Sequence, residues 1–145
     1  MPLSLSFPGV YHGLRLSDDG RTMYVANMGN PSGNSILDRP SMRILDVSDI
    51  QDRKPNPQIR TLGEVTWSEA SMPQVAEPFT RDGRTYVLEV DEFNDWFGDN
   101  WKIDFQANQV GAARIIDVTD PTKPYVVSRL RLEVHDPANR TGDVM

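Results

Sequence analysis

The strongest constraint on this chain is that it repeats itself. Asp19-Gly20-Arg21-Thr22 runs into Met23-Tyr24-Val25, and Asp82-Gly83-Arg84-Thr85 runs into Tyr86-Val87-Leu88, 63 residues on. Further along, Arg43-Ile44-Leu45-Asp46-Val47-Ser48-Asp49 is echoed by Arg114-Ile115-Ile116-Asp117-Val118-Thr119-Asp120, 71 residues on. The order is preserved, so one long unit occurs twice. The eight-residue difference between the offsets places an insertion between the two motifs of the second copy.

Each motif has a mechanical meaning. Asp-Gly between alternating apolar segments signals a short hairpin: the glycine accepts the positive φ of a tight turn, and the aspartate bonds the backbone beyond it. Each copy therefore opens with a hairpin, with arms Tyr11 to Ser17 and Arg21 to Asn27, then about Gln74 to Thr80 and Arg84 to Val90. The second motif reads as a third strand, Met42 to Val47 or Ala112 to Val118. Asp46, Ser48 and Asp49, like Asp117, Thr119 and Asp120, suit turn amides rather than catalysis, and Pro121 and Pro124 forbid the ladder to continue. A fourth strand follows, about Gln58 to Thr66 and Tyr125 to Val134, the two ending alike in Glu64-Val65 and Glu133-Val134. Four antiparallel strands per unit, with no helical periodicity between them, make a propeller blade. The expected fold is all-β, a partial β-propeller of two four-stranded antiparallel blades at 10–67 and 74–134. Residues 91–109 form an inserted loop, 1–9 a linker or the tail of a preceding blade, and 135–145 the start of a third.

The two copies of the second motif look like the signature of the LVIVD-repeat β-propellers. Tyr11-His12-Gly13-Leu14, running into Asp19-Gly20-Arg21-Thr22-Met23-Tyr24-Val25-Ala26, resembles their blade openings. A looser likeness extends to selenium-binding-type propellers, whose metal-site histidines have no identifiable match here. The resemblance implies blade architecture and leaves function open, because the shared residues are those that build blades.

A propeller closes with about four to eight blades, so two blades imply remaining blades or oligomer partners, and the chain is expected to be a fragment of a longer frame or one part of an assembly. With 38% hydrophobic and 25% charged residues the composition is that of a globular domain. A formal charge of −6, with no run among the fifteen basic residues, argues against a nucleic-acid partner. No stretch approaches the roughly 20 apolar residues of a membrane span, and Met1 to Gly13 lacks the basic start and apolar block of a secretory signal. The default location is therefore cytoplasmic, or extracellular if the frame is truncated at its start. Cysteine is absent, which removes disulfides, thiolate nucleophiles and zinc-finger sites.

In an up-and-down blade the loops after the second and fourth strands share one face, and that face collects the unusual residues. Met28 to Ser41 is rich in Gly, Asn, Pro and Ser. In the second copy Asp91, Glu92, Asp95, Asp99 and Asp104 stand against Lys102 alone, interleaved with Phe93, Trp96, Phe97, Trp101 and Phe105. Such a loop either packs on its own aromatics, or presents aromatic anchors with an acidic rim to a cationic, carbohydrate-like or protein ligand, or binds calcium. The EF-hand spacing is absent. His12 opens an innermost strand near the central channel, and His135 follows the fourth strand at the position matching Thr66. Either is a structural or solvated histidine or a ligand contact; two histidines without cysteine cannot complete a metal centre unless carboxylates or other blades contribute. No nucleophile elbow, phosphate loop, dinucleotide fingerprint or zinc-protease motif occurs. The expected function is a non-catalytic ligand- or protein-binding scaffold, with candidate contacts His12, Asp91, Glu92, Asp95, Trp96, Asp99, Trp101 and His135. No cofactor is expected. The alternative is a piece of a metal-dependent oxidoreductase of the selenium-binding-like type, with a metal ion as its cofactor.

Overall fold

The computed structural model describes residues 10–29, 40–67, 72–92 and 113–139. Within them the fold is all-β and propeller-like, two four-stranded antiparallel sheets without a closed ring. The first sheet is β1 (Tyr11–Leu16), β2 (Thr22–Asn27), β3 (Ser41–Asp46) and β4 (Arg60–Thr66), hydrogen-bonded in that order. The second is β5 (Pro73–Arg81), β6 (Arg84–Asp91), β7 (Ala113–Asp117) and β8 (Tyr125–Leu130), in the same order. The β6–β7 connection spans 92–112 against 28–40 for β2–β3, and this is the extra length expected there.

The shared tetrapeptide builds two different turns. In the second sheet Arg81 pairs with Arg84, leaving Asp82 and Gly83 as a two-residue turn with both φ values positive, 50° and 73°. That backbone twist matches the twist of the flanking strands. In the first sheet Leu16 pairs with Met23, and the longer turn is tied by Ser17: its hydroxyl donates to Asp19 Oδ1 at 2.6 Å and accepts from the Thr22 amide at 3.0 Å. Pairing therefore departs from the tetrapeptide alignment by one residue. Tyr24 lies opposite Ile44, and Leu88 lies opposite Ile115, so Tyr24 and not Val25 is the positional counterpart of Leu88. On a strand, one residue is the difference between the two faces of a sheet.

The third strands close as their aspartates predict. Asp46 Oδ1 accepts from the Ser48 amide and Asp117 Oδ1 from the Thr119 amide, each at 2.9 Å. Two local features differ from the sequence expectation. A short helix, α1 (Ser48–Gln51), follows β3, where Asp49 accepts from Lys54 Nζ at 2.6 Å and Arg60 Nη2 at 2.9 Å. The fourth strand of the second sheet is shorter than expected, for β8 ends at Leu130 and Glu133–His135 is a 3-10 turn. Glu64 and Glu133 are thus not equivalent: Arg43 pairs with Glu64 across β3–β4, and Arg114 with Arg129 across β7–β8. By the same pairing the counterpart of Thr66 is Arg131 rather than His135.

The main core lies between the sheets. Tyr24, Ala26, Met42, Ile44 and Trp67 meet Ala76, Val87, Ile116 and Val118, with Leu62, Val65 and Val126 at its edges. Each large side chain so buried contributes about 1.5–3 kcal/mol. Val25, Leu45 and Val47 form a second cluster with Tyr11, Met23, Ile50 and Ile59 on the other face of the first sheet. Two glycines set how closely the sheets approach. A Cβ on Gly13 of β1 would stand 2.1 Å from the Gln74 carbonyl oxygen, and one on Gly63 of β4 would stand 2.2 Å from the Pro121 carbonyl oxygen. Only glycine admits backbone that near.

Candidate functional site

Antiparallel order brings Tyr11, Asn27, Ser41 and Thr66 of the first sheet to one end, and Pro73, Asp91 and Leu130 of the second to the same end. Four of the sequence-predicted residues stand there. His12 Nε2 lies 3.2 Å from Glu92 Oε2, joining the first sheet to the second, and both side chains are about one-third exposed. The Glu92 amide donates to the Met72 carbonyl at 2.9 Å, fixing the backbone that carries the carboxylate. His135 sits in the turn beyond β8, where its Nδ1 accepts from the Leu132 amide at 3.3 Å. Asp91 turns inward instead. Asp95, Trp96, Asp99 and Trp101 lie outside the described residues.

Asp91 belongs to a buried charge cluster between the sheets. Val87, Glu89 and Asp91 alternate onto the face of β6 that meets the first sheet, and Arg114 lies opposite Glu89 on β7. Arg114 Nη1 donates to Glu89 Oε2 at 2.6 Å and to Asp91 Oδ2 at 3.0 Å. The guanidinium lies over the Trp67 ring, 4.0 Å from its centroid, a cation–π contact contributed by the residue directly after β4. All three charged side chains are fully buried.

Two carboxyl groups share this buried guanidinium, and burial makes a second negative charge beside the first costly. The Glu89 carboxyl is accordingly pushed up to about 9, by its burial first and by the Asp91 charge second, with Arg114 pulling the other way. At neutral pH that shift favours the neutral, protonated form of Glu89 beside the Arg114 cation. Glu89 Oε1 is buried without a hydrogen-bond partner among the described residues, which a neutral acid tolerates far better than a carboxylate.

The sequence pointed to Arg114 as part of a strand motif and passed over its charge. Glu89 carried a signal of its own, as a carboxylate inside the apolar run Tyr86-Val87-Leu88-Glu89-Val90. The first sheet solves the same position differently: Arg43 Nε donates to Glu64 Oε1 at 2.8 Å and its Nη1 to the Tyr11 hydroxyl at 2.8 Å.

The opposite end of the sheets holds a cleft of about 480 Å³ between the two hairpin turns, lined by Asp18, Asp19, Tyr24, Pro78 and Phe79 among others. Asp19 is committed to its turn, and its bonds from Ser17 and from the Arg21 amide hold its carboxyl below the usual range. Among the described residues no three His, Asp or Glu side chains converge in a way that could hold a metal ion. No helix among them is long and apolar enough to cross a membrane. No protein-family model matches this chain, and no curated protein matches it significantly.

Proposed function

We propose that the chain is a non-catalytic binding module that receives a ligand or protein at the end of the sheets where β2 and β6 terminate. The observation that carries this reading is the His12–Glu92 pair, a half-open polar contact between the sheets above a buried cluster whose charges are already committed. Arg114 anchors Asp91, and Asp91 positions Glu92. The acidic, aromatic segment 93–105 departs directly from Glu92. Carboxylates interleaved with Trp96 and Trp101 suit a cationic or carbohydrate-like ligand, or a basic protein segment.

Titration calorimetry on the whole chain tests this, with a lysine-rich peptide and a neutral oligosaccharide as probes. Binding of either, weakened at least about tenfold by Trp96→Ala/Trp101→Ala and also reduced by Glu92→Gln, is the expected result. Binding indifferent to all three substitutions would refute the reading. A stoichiometric metal in the purified chain, lost in His12→Ala, would overturn it in favour of the metal-dependent oxidoreductase alternative.

A further inference from the structure

The cleft between the two hairpin turns lies at the far end of the sheets from His12 and Glu92, and it holds one polar group that the fold leaves unused. Tyr24 is 5% exposed and belongs to the main core together with Ala76 and Val87. It also lines the cleft, and its hydroxyl makes no hydrogen bond to any of the described residues. Burial of the side chain, and after it the Asp19 charge, push the phenol above its ordinary value, so the group stays neutral and keeps a proton to donate. A buried hydroxyl without a partner is costly, and a phenylalanine would fill the same core position without that cost. The hydroxyl of Tyr24 therefore bonds only to what enters the cleft, water or ligand.

The other walls narrow the chemistry. At about 480 Å³ the cleft falls within the range of small-molecule sites, about 300–1,000 Å³. From the first hairpin come Asp18 and Asp19; Asp19 Oδ1 is spent on Ser17 and the Arg21 amide, whereas Asp18 accepts no hydrogen bond from a described residue. From the second come Pro78 and Phe79, an apolar wall in which Phe79 is 38% exposed and braced by stacking on Tyr86, the ring centroids 5.4 Å apart. Thr80 and Thr85 add hydroxyls, and none of the described residues that line the cleft is basic. An anion would meet two carboxylates with no lining cation to offset them. An ammonium ion would suit Asp18 but carries donors only, and it would leave the Tyr24 proton without an acceptor. A neutral sugar satisfies every wall, because each of its hydroxyls both donates and accepts and its C–H face is apolar.

We propose that this cleft binds a neutral pyranose sugar, with Phe79 against the C–H face of the ring, Asp18 accepting from its hydroxyls and Tyr24 donating from the floor. The inference is independent of the ligand reading at the loop end, for it rests neither on the His12–Glu92 pair nor on segment 93–105.

Saturation-transfer NMR on the whole chain tests it, with glucose, galactose, mannose and N-acetylglucosamine each at about 10 mM, enough to occupy most of a millimolar site. At least one sugar should receive saturation, and titrating it should shift the backbone amides of Asp18, Thr22, Thr80 and Thr85. Methylammonium and inorganic phosphate at the same concentration should leave those amides unmoved. Tyr24→Phe and Asp18→Asn should each weaken the sugar by about threefold to tenfold, the effect of one hydrogen bond. Because the Tyr24 hydroxyl has no described protein partner, the urea midpoint of Tyr24→Phe should match the wild type, which separates lost binding from a lost fold. Asp18 is exposed, so its variant serves as a second probe should Tyr24→Phe unfold. Saturation of none of the sugars, undiminished binding in both variants, or cleft amides that move with methylammonium or phosphate instead would overturn the proposal. So would shifts confined to His12 and Glu92, which report the loop end alone.

Discussion

Replacing Arg114 by Met keeps most of the side-chain volume and removes the only cation bonded to Glu89 and Asp91 among the contacts described above. Breaking a buried ionic cluster by removing one partner costs about 3–5 kcal/mol, because the remaining charge stays desolvated. Loss of the stacking on Trp67 adds to this. For a domain of this size such a loss is a large part of total stability. At a urea dependence of about 2 kcal/mol per molar, the unfolding midpoint should fall by about 2 M at pH 7, measured at fixed protein concentration. Second-site changes locate the proton. With Glu89 neutral, Arg114→Met takes the described cation away from the Asp91 carboxylate. Arg114→Met/Asp91→Asn should then recover most of the loss, and Arg114→Met/Glu89→Gln little of it. A cost below about 1 kcal/mol, or equal recovery by the two double variants, would refute the assignment of the proton to Glu89.

Glu89 also predicts an alkaline limb. Its folded value near 9 lies above the ordinary 4.5, so the stability its neutral form contributes is fully present below about 4.5 and is lost as pH rises through about 9. Urea midpoints between pH 6 and 9 should fall in the wild type and stay flat in Glu89→Gln; parallel curves would contradict this. Asp49 predicts the acid limb: Arg60 and Lys54 hold its carboxyl well below 3.8, so its contribution is present above that value and lost as pH falls. Asp49→Asn should be less stable than wild type at pH 7, the gap closing in acid. Gly63→Ala drives a Cβ toward the Pro121 carbonyl and should cost about 1–3 kcal/mol or more in chemical unfolding. Gly83→Ala meets no neighbour and should cost only the left-handed strain, about 1 kcal/mol, so a reversed ranking would contradict the close approach.

The strands and their order were legible because two motifs recur in sequence and each has a fixed local chemistry: Asp-Gly makes a turn, and Asp-Val-Ser/Thr-Asp ends a strand. Turn length was not legible from the tetrapeptide. Asp82-Gly83 closes a two-residue turn and Asp19-Gly20 does not, because Ser17 recruits Asp19 and Thr22 into a longer one. That residue decides which side chains face the neighbouring sheet, and it makes Val25 the positional counterpart of Glu89. His12 and Glu92 were each singled out in the sequence, but their contact was not, since it crosses between sheets 80 residues apart in the chain. The Arg114 cluster escaped for a related reason: a charged residue within a strand reads as solvent-facing until the partner sheet is in place. Helix α1 is a single turn, too short to leave a periodic trace.

Gly13 and Gly63 sit on opposite margins of the first sheet, one against β5 and the other against the turn between β7 and β8. Together they act as a pair of callipers, fixing the sheet-to-sheet gap at two separate points and therefore the angle between the sheets. A methyl group at Gly13 would open the wedge at its β1 margin, and one at Gly63 would open it at its β4 margin, rotating the sheets in opposite senses. The angle between the two sheets thus rests on two hydrogen atoms that no larger side chain could replace.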